Sequence, residues 1–162
     1  MILLLIFFVI VLAFGFVIMF GAPYLPTMKK QQEQAFKLLN LKPGQKILEL
    51  GSGDGRVLLA AARQGLLADG YELNPLLYLL SKAVCFKHRK QINVYYGNFW
   101  HKKWPKADGI FVFLHPRFMK KLDSAVKEQY ASQSVKLVSY AFKIPGQKPA
   151  KTKEALFLYQ YH

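Results

Sequence analysis

The stretch ILELGSGDGRVLLAAA, residues 47–62, leaves a chain few ways to fold. ILEL is a short run of large apolar residues around one acid, the pattern of a buried strand. Gly51, Gly53 and Gly55 then alternate with Ser52 and Asp54, a turn whose backbone is free to take positive φ and to lie bare against a ligand. The segment 56–63, rich in alanine and leucine, reads as a helix whose N-terminus points at that same turn. A strand, a glycine turn and a helix in this order are the first half of a βαβ unit. Such a unit needs a parallel neighbour strand, and so an open α/β sheet.

The rest of the chain repeats the alternation. Strand-like runs fall at 46–51, 68–73, 92–97, 107–114, 135–142 and 155–161, and helical stretches at 55–64, 75–87 and 116–130 separate the first five strands. The expected fold is therefore Rossmann-like α/β, with a mostly parallel sheet of about six strands. KIPGQKPAKTK joins the last two runs and leaves no room for a crossover helix, so the last strand is expected to run antiparallel. Ahead of the sheet, KKQQEQAFKLLNL (29–41) carries an apolar helical stripe that Pro43-Gly44 ends.

Residues 1–22, MILLLIFFVIVLAFGFVIMFGA, hold no charge, and none of either sign appears before Lys29. As a helix this run would span roughly 30 Å, the thickness of a bilayer's hydrocarbon core. A cleaved signal peptide would want a basic start, a shorter apolar stretch and a small-residue cleavage site, and the run shows none clearly. The expected organisation is one transmembrane helix at 1–22, a linker and pre-core helix at 23–45, and the sheet domain at 46–162. All of the net charge of +14 follows the apolar run, so the positive-inside rule puts the domain on the cytoplasmic side or its organellar (matrix) equivalent. The single cysteine, Cys85, allows no internal disulfide and fits a reducing compartment.

The composition of the turn narrows its ligand. A dinucleotide fingerprint reads G-x-G-x-x-G, whereas Arg56 stands at the last of those places and the spacing here is G-x-G-x-G. No Gly-Lys-Ser/Thr follows, which excludes a P-loop. Acids surround the turn instead: Glu49 in the strand, Asp54 in the loop, and Glu72 at the end of the next strand, about twenty residues on, where a carboxylate can accept ribose hydroxyls. Acidic charge repels phosphates and suits a cationic nucleoside, and S-adenosylmethionine, a sulfonium and an ammonium on adenosine, is one. Candidate cofactor contacts are Glu49, Gly51, Ser52, Gly53, Asp54, Gly55 and Glu72. Asn98 and Phe99, after the third strand, are added for the adenine through amide bonding and ring stacking. A plain Gly-Asn turn with core aromatics explains the same residues. His115, after the fourth strand, is the candidate general base, with lining of the pocket as its other reading. Leu114 and Pro116 beside it, with Tyr24 and Thr27, are the candidate substrate contacts. The histidines at 88, 101, 115 and 162 have no metal-ligand spacing.

The order PYLPT, ILELGSGDGR, GYELNP, YYGN, FVFLHP and a final IPG…LFLYQY resembles class I S-adenosylmethionine-dependent methyltransferases. More narrowly, it resembles the membrane-anchored protein-lysine methyltransferases whose mitochondrial members modify the adenine nucleotide translocase and the ATP synthase c-subunit. The resemblance implies that Glu49, Gly51, Gly53 and Asp54 meet the methionine part of the cofactor, Glu72 the ribose and Asn98 the adenine. The family pattern has an acid where Asn98 stands. It also implies a lysine of a membrane protein as acceptor, and the chain is short for the helix and strand that would complete a seven-stranded sheet. A nucleic-acid methyltransferase is the rival that the basic runs KHRK, HKKWPK and KPAKTK suggest. LHPR is not the Asn/Asp-Pro-Pro-aromatic of base amino-group methylation, and the same cations suit an anionic lipid surface. A non-catalytic anchored scaffold of the same fold is the third reading, against which the acids at 49, 54 and 72 argue.

Overall fold

The structure is a computed structural model that describes residues 1–4, 7, 8, 11 and 26–162. Most of the expected membrane span, and Tyr24 with it, lies outside the described residues. Among the described residues no helix is long and apolar enough to cross a membrane. In the described part of the apolar run, residues 2–4, 7, 8 and 11 are helical, and the large side chains there are exposed.

The elements in chain order are α1 (Lys29–Leu39), β1 (Lys46–Leu50), α2 (Arg56–Arg63), β2 (Leu67–Glu72), α3 (Pro75–Cys85), β3 (Ile92–Tyr96), β4 (Gly109–Val112), α4 (Met119–Gln129), β5 (Val135–Tyr140), β6 (Lys151–Lys153) and β7 (Leu156–Tyr161). They form one seven-stranded sheet in the order β3-β2-β1-β4-β5-β7-β6. The first five strands are parallel, and β7 is antiparallel to β5, as the short connection requires.

The expectation of about six strands is corrected to seven. The additional strand, β6, is the lysine-rich end of the connector and pairs antiparallel with β7 alone. All three of its residues are exposed, so it carries no apolar alternation by which a strand is read.

Alternation along the strands divides the core between the two faces of the sheet. Leu48, Leu50, Ile110, Val112 and Leu137 point to one face, under Met119, Leu122 and Val126 of α4 and the aromatic loop holding Phe99 and Trp104. Ile47, Phe111, Val138 and Leu158 point to the other, under α1, α2 and Cys85 of α3. Helix α1 belongs to this layer: Ala35, Phe36 and Leu39 are in the core, Lys136 Nζ donates to the Leu39 carbonyl at its C-terminus, and Gln34 Nε2 donates to Glu154 beyond β6.

At the N-terminal ends of the strands, a row of polar groups joins neighbours across the sheet. Asn93 Nδ2 donates to Asp69 Oδ1 at 2.8 Å, Lys46 Nζ meets Asp69 Oδ2 at 3.0 Å, and the Lys46 amide donates to Asp108 Oδ2 at 2.7 Å. The C-terminal ends are left for the loops, where open α/β sheets place their ligands.

Gly55, the residue before α2, has φ +81°, and a Cβ there would run into Ser81 Oγ and approach Cys85 Sγ to 3.0 Å and Ser81 Cα to 3.2 Å. Gly51 has φ +91°, but its Cβ would meet open space. Gly55→Ala is expected to cost about 1.5–3 kcal/mol of stability through strain and overpacking together. Gly51→Ala, which adds strain alone, is expected to cost about 1 kcal/mol. Urea denaturation checks the pair; equal losses would show that the Ser81 contact is not limiting.

Candidate functional site

Strand β1 ends at Leu50, and the chain turns on three glycines with positive φ: Gly51, Gly53 (φ +55°) and Gly55. The turn is held from beneath by β2. The amides of Gly51 and Ser52 both donate to the Tyr71 carbonyl, at 3.0 and 2.8 Å, and the Gly53 amide donates to Glu72 Oε2 at 2.7 Å. Glu72 Oε1 accepts the Asn74 amide at 2.7 Å. Asn74, fully buried, in turn caps α3, its Oδ1 accepting from the amides of Leu76 and Leu77. The Gly97 amide donates to the Glu72 carbonyl at 2.9 Å, which draws the loop after β3 to the same place. Glu49, Ser52, Gly53, Glu72 and the start of the Asn98 loop are thus brought together at one edge of the sheet.

The electrostatics of this cluster are unusual for a chain of net charge +14. Glu49 is 4% exposed, and its Oε2 finds no hydrogen-bond partner among the described residues. Burial, then the charges of Glu72 and Asp54, push its carboxyl well above the usual carboxylate range. Burial also raises Glu72, against the backbone N–H bonds that hold it down. The Ser52 hydroxyl is likewise buried without a partner among the described residues. Asp54 differs: Arg56 grips it through Nε and the terminal nitrogen, with distances of 2.7–3.0 Å. Its charge is matched by a cation, and its Oδ1 also accepts the Arg56 amide at 3.2 Å.

The remaining predicted residues fall into two groups. Asn98 Oδ1 accepts the Trp100 amide and opens a short 3-10 turn, while Phe99 lies in the core with Trp104 edge-on at 6.2 Å. The Phe99 ring faces the core cluster, the arrangement that the core-aromatic reading of this loop expects. Leu114 is buried in the same cluster, and His115 and Pro116 are exposed after β4. His115 Nδ1 accepts the Arg117 amide at 3.3 Å and so caps the turn before α4. With that bond made, the proton of the neutral ring sits on Nε2. Thr27 is buried just ahead of α1, its carbonyl accepting from Gln32 Nε2.

Two contributors escaped sequence reasoning. Asn74 precedes Pro75 at the start of α3, and its bond to Glu72 has no signature in the sequence. Ser81, buried beneath Gly55, gave no signal in the sequence at all.

The arrangement amounts to a backbone cradle open over Gly51, near a buried carboxyl with one oxygen unpartnered among the described residues and a second carboxyl anchored by backbone amides. It suits a ligand that brings positive charge and hydroxyl donors, and it disfavours a phosphate.

Comparison with known proteins gives the same direction. The family model described as the ANTKMT methyltransferase domain matches residues 49–151. The Homo sapiens lysine N-methyltransferase of the ATP synthase c-subunit is 29% identical over 129 residues, 78% of this chain and 54% of its own length. The adenine nucleotide translocase lysine N-methyltransferase of Mus musculus is 33% identical over 138 residues, covering 78% of this chain and 56% of its own length. The chain spans about half the length of these curated relatives. Among solved structures, an RNA methyltransferase from Salinibacter ruber in complex with S-adenosyl-L-homocysteine superposes with a TM-score of 0.77 at 24% identity, over 85% of this chain and 92% of that one. At that identity the likeness establishes the Rossmann-like fold.

The buried acid sets a pH dependence. With its pKa raised in the folded state, Glu49 carries no penalty at low pH, where it is protonated both folded and unfolded. As pH rises from the unfolded pKa towards the folded one, the protein progressively loses stability. Glu49→Gln is therefore expected to be more stable than the parent, with a gap that widens over the range from the ordinary carboxylate pKa upward. Thermal melting of both proteins across that range checks it; a gap independent of pH would show that Glu49 does not carry the buried charge.

Proposed function

The chain belongs to the ANTKMT methyltransferase family, and we propose that it transfers methyl groups from S-adenosyl-L-methionine to a lysine of a membrane protein. One observation carries the cofactor assignment: Glu49 Oε2, buried beside Glu72 at the open glycine turn and without a partner among the described residues. A carboxyl that burial holds off its charged form regains that charge beside a cation, and the cofactor's ammonium is of the right sign and size. Glu72, with its oxygens already fixed by the Gly53 and Asn74 amides, is oriented to accept ribose hydroxyls with the lone pairs that remain. Gly51, having no side chain, leaves the floor of the cradle clear. Asn98 and the loop after β3 are assigned to the adenine edge, and Asp54 to the shape of the turn.

When bound, the cofactor supplies a methyl group made electrophilic by its sulfonium. The chain's own part is positioning, which by effective molarity accounts for several kcal/mol of a displacement barrier. We assign His115 no proton transfer, because its Nδ1 lone pair caps a turn. The acceptor amine then has to reach the site neutral, helped by desolvation, from a free pKa of ~10.4. Leu114, Pro116, Tyr24 and Thr27 are assigned to the acceptor's path. Lysine as acceptor is supported by the relatives, which are named as lysine N-methyltransferases of the ATP synthase c-subunit and of the adenine nucleotide translocase. The uncharged run at 1–22 supports a single-pass anchor, and the charge after it supports a domain on the cytoplasmic or matrix side, against an anionic lipid surface.

Calorimetric titration of S-adenosylmethionine into the detergent-solubilised full chain is expected to show micromolar binding. Glu49→Gln and Glu72→Ala should each weaken it by about 10- to 100-fold, the worth of a charged hydrogen bond of roughly 1.5–3 kcal/mol. No binding by a folded sample would remove the cofactor assignment and favour the scaffold. Transfer of labelled methyl groups should reach lysine in membrane protein fractions, with a rate that rises with pH. Label appearing in RNA instead would displace the lysine reading and leave the cofactor reading intact.

A further inference from the structure

Helix α3 carries an apolar face that the described fold leaves uncovered. Leu77, Ser81 and Cys85 are its buried side. On the outside, Leu76, Leu79, Leu80 and Val84 recur at spacings of three and four and form one stripe, with Leu79 62% exposed. Phe86, also 62% exposed, continues the stripe into the following turn. Tyr96, at the end of β3, widens it through a ring contact with Tyr78 at 5.4 Å. A contiguous apolar surface of this kind marks a partner or a membrane, whereas single exposed leucines mark nothing.

The charges carried by the stripe's own segment have one sign. From Leu73 to Ala107 the chain holds no acid, and Lys82, Lys87, Arg89 and Lys90 follow the stripe along the helix and the turn after it. Two of these cations lie against its aromatic rings: Lys82 Nζ is 5.8 Å from the centre of Tyr78, and the Arg89 guanidinium is 4.8 Å from that of Phe86. An apolar stripe whose own helix and following turn carry cations and no acid is complementary to the headgroup–acyl boundary of an anionic bilayer, where the rings and methyls enter the acyl chains and the cations meet phosphates. A protein partner would need an acidic surface with an apolar centre to satisfy the same border.

We infer that the outer face of α3 is a docking surface that lies in the plane of an anionic membrane. The inference rests on the membrane location proposed above. It also goes beyond tethering, because the segment 23–28 ahead of α1, fully extended, reaches only about 20 Å and leaves the orientation of the domain open. Docking α3 removes that freedom. Its N-cap, Asn74, is bonded to Glu72, so a helix lying in the bilayer surface would bring the mouth of the cofactor cradle down to the headgroups. A lysine at the end of a membrane-spanning helix emerges at that level.

The test uses the full chain with Leu80→Cys, spin-labelled; Leu80 is exposed, and native Cys85 is buried, so the parent protein serves as the unlabelled control. Vesicles of phosphatidylcholine, with or without phosphatidylserine, are floated after reconstitution, and flotation alone reports the anchor. In the floated protein, the ratio of oxygen to nickel-chelate collision rates gives the depth of the label. The expected result is a label within the acyl region on phosphatidylserine vesicles, nearer water on phosphatidylcholine, and back in water when Lys82, Lys87, Arg89 and Lys90 are all changed to glutamate. A label in water on floated phosphatidylserine vesicles overturns the docking face and leaves the anchor standing. Shielding accompanied by spin–spin broadening that disappears on dilution with unlabelled chain assigns the face to a second copy and overturns it too. Failure to float removes both proposals.

Discussion

The carboxylate of Glu72 has one oxygen on the Gly53 amide and the other on the Asn74 amide, each at 2.7 Å. Everything at the top of the sheet depends on that pair of bonds. The first fixes a glycine turn that has no side chains of its own to hold it. The second orients the residue that caps α3. A single acid at the end of β2 therefore sets the position of two helix N-termini and of the turn between strand and helix. Burial would normally drive such a group towards its neutral form, and the backbone N–H donors are what counter it.

Around that anchor the chain concentrates negative charge that it spreads thinly elsewhere. Glu49 is left without a partner on one oxygen among the described residues, and Glu72 and Asp54 raise its pKa further. A protein selected for stability alone would have placed an apolar residue there, because an unpaired buried polar group costs roughly 1–3 kcal/mol. Residues kept at such a cost tend to be those that meet a ligand. The same division of labour appears at the opposite ends of the strands. There the acids Asp69 and Asp108 are paired with Lys46 and with backbone, and the cluster is purely structural.

The parts of this design that were legible in the sequence are those written in periodicity or in glycine. β1 and β4 are buried on both faces and read as apolar runs. The turn at 51–55 could be placed because only glycine tolerates its backbone. The antiparallel β7 followed from the length of a loop. What was hidden depended on geometry. β6 is Lys-Thr-Lys, polar on both faces at a sheet edge, and is a strand only because β7 lies beside it. An aromatic such as Phe99 after a strand serves equally well to stack on a ligand or to fill a core, and only its neighbours Trp100 and Trp104 distinguish the two. For His115, the difference between a base and a cap is which group approaches Nδ1, and no spacing encodes that.

The row of polar contacts from Asn93 through Asp69 and Lys46 to Asp108 has a consequence for assembly. β1 pairs with β4, Ile47 opposite Gly109, although the whole of β2, α3 and β3 intervenes in the chain. Closing so long a loop is slow, and apolar strands buried on both faces could dock with a slip of register. Because the Lys46 ammonium meets Asp69 and its amide meets Asp108, a slipped pairing strands a buried carboxyl, and the wrong registers are penalised. The lower edge of the sheet thus proofreads the upper one.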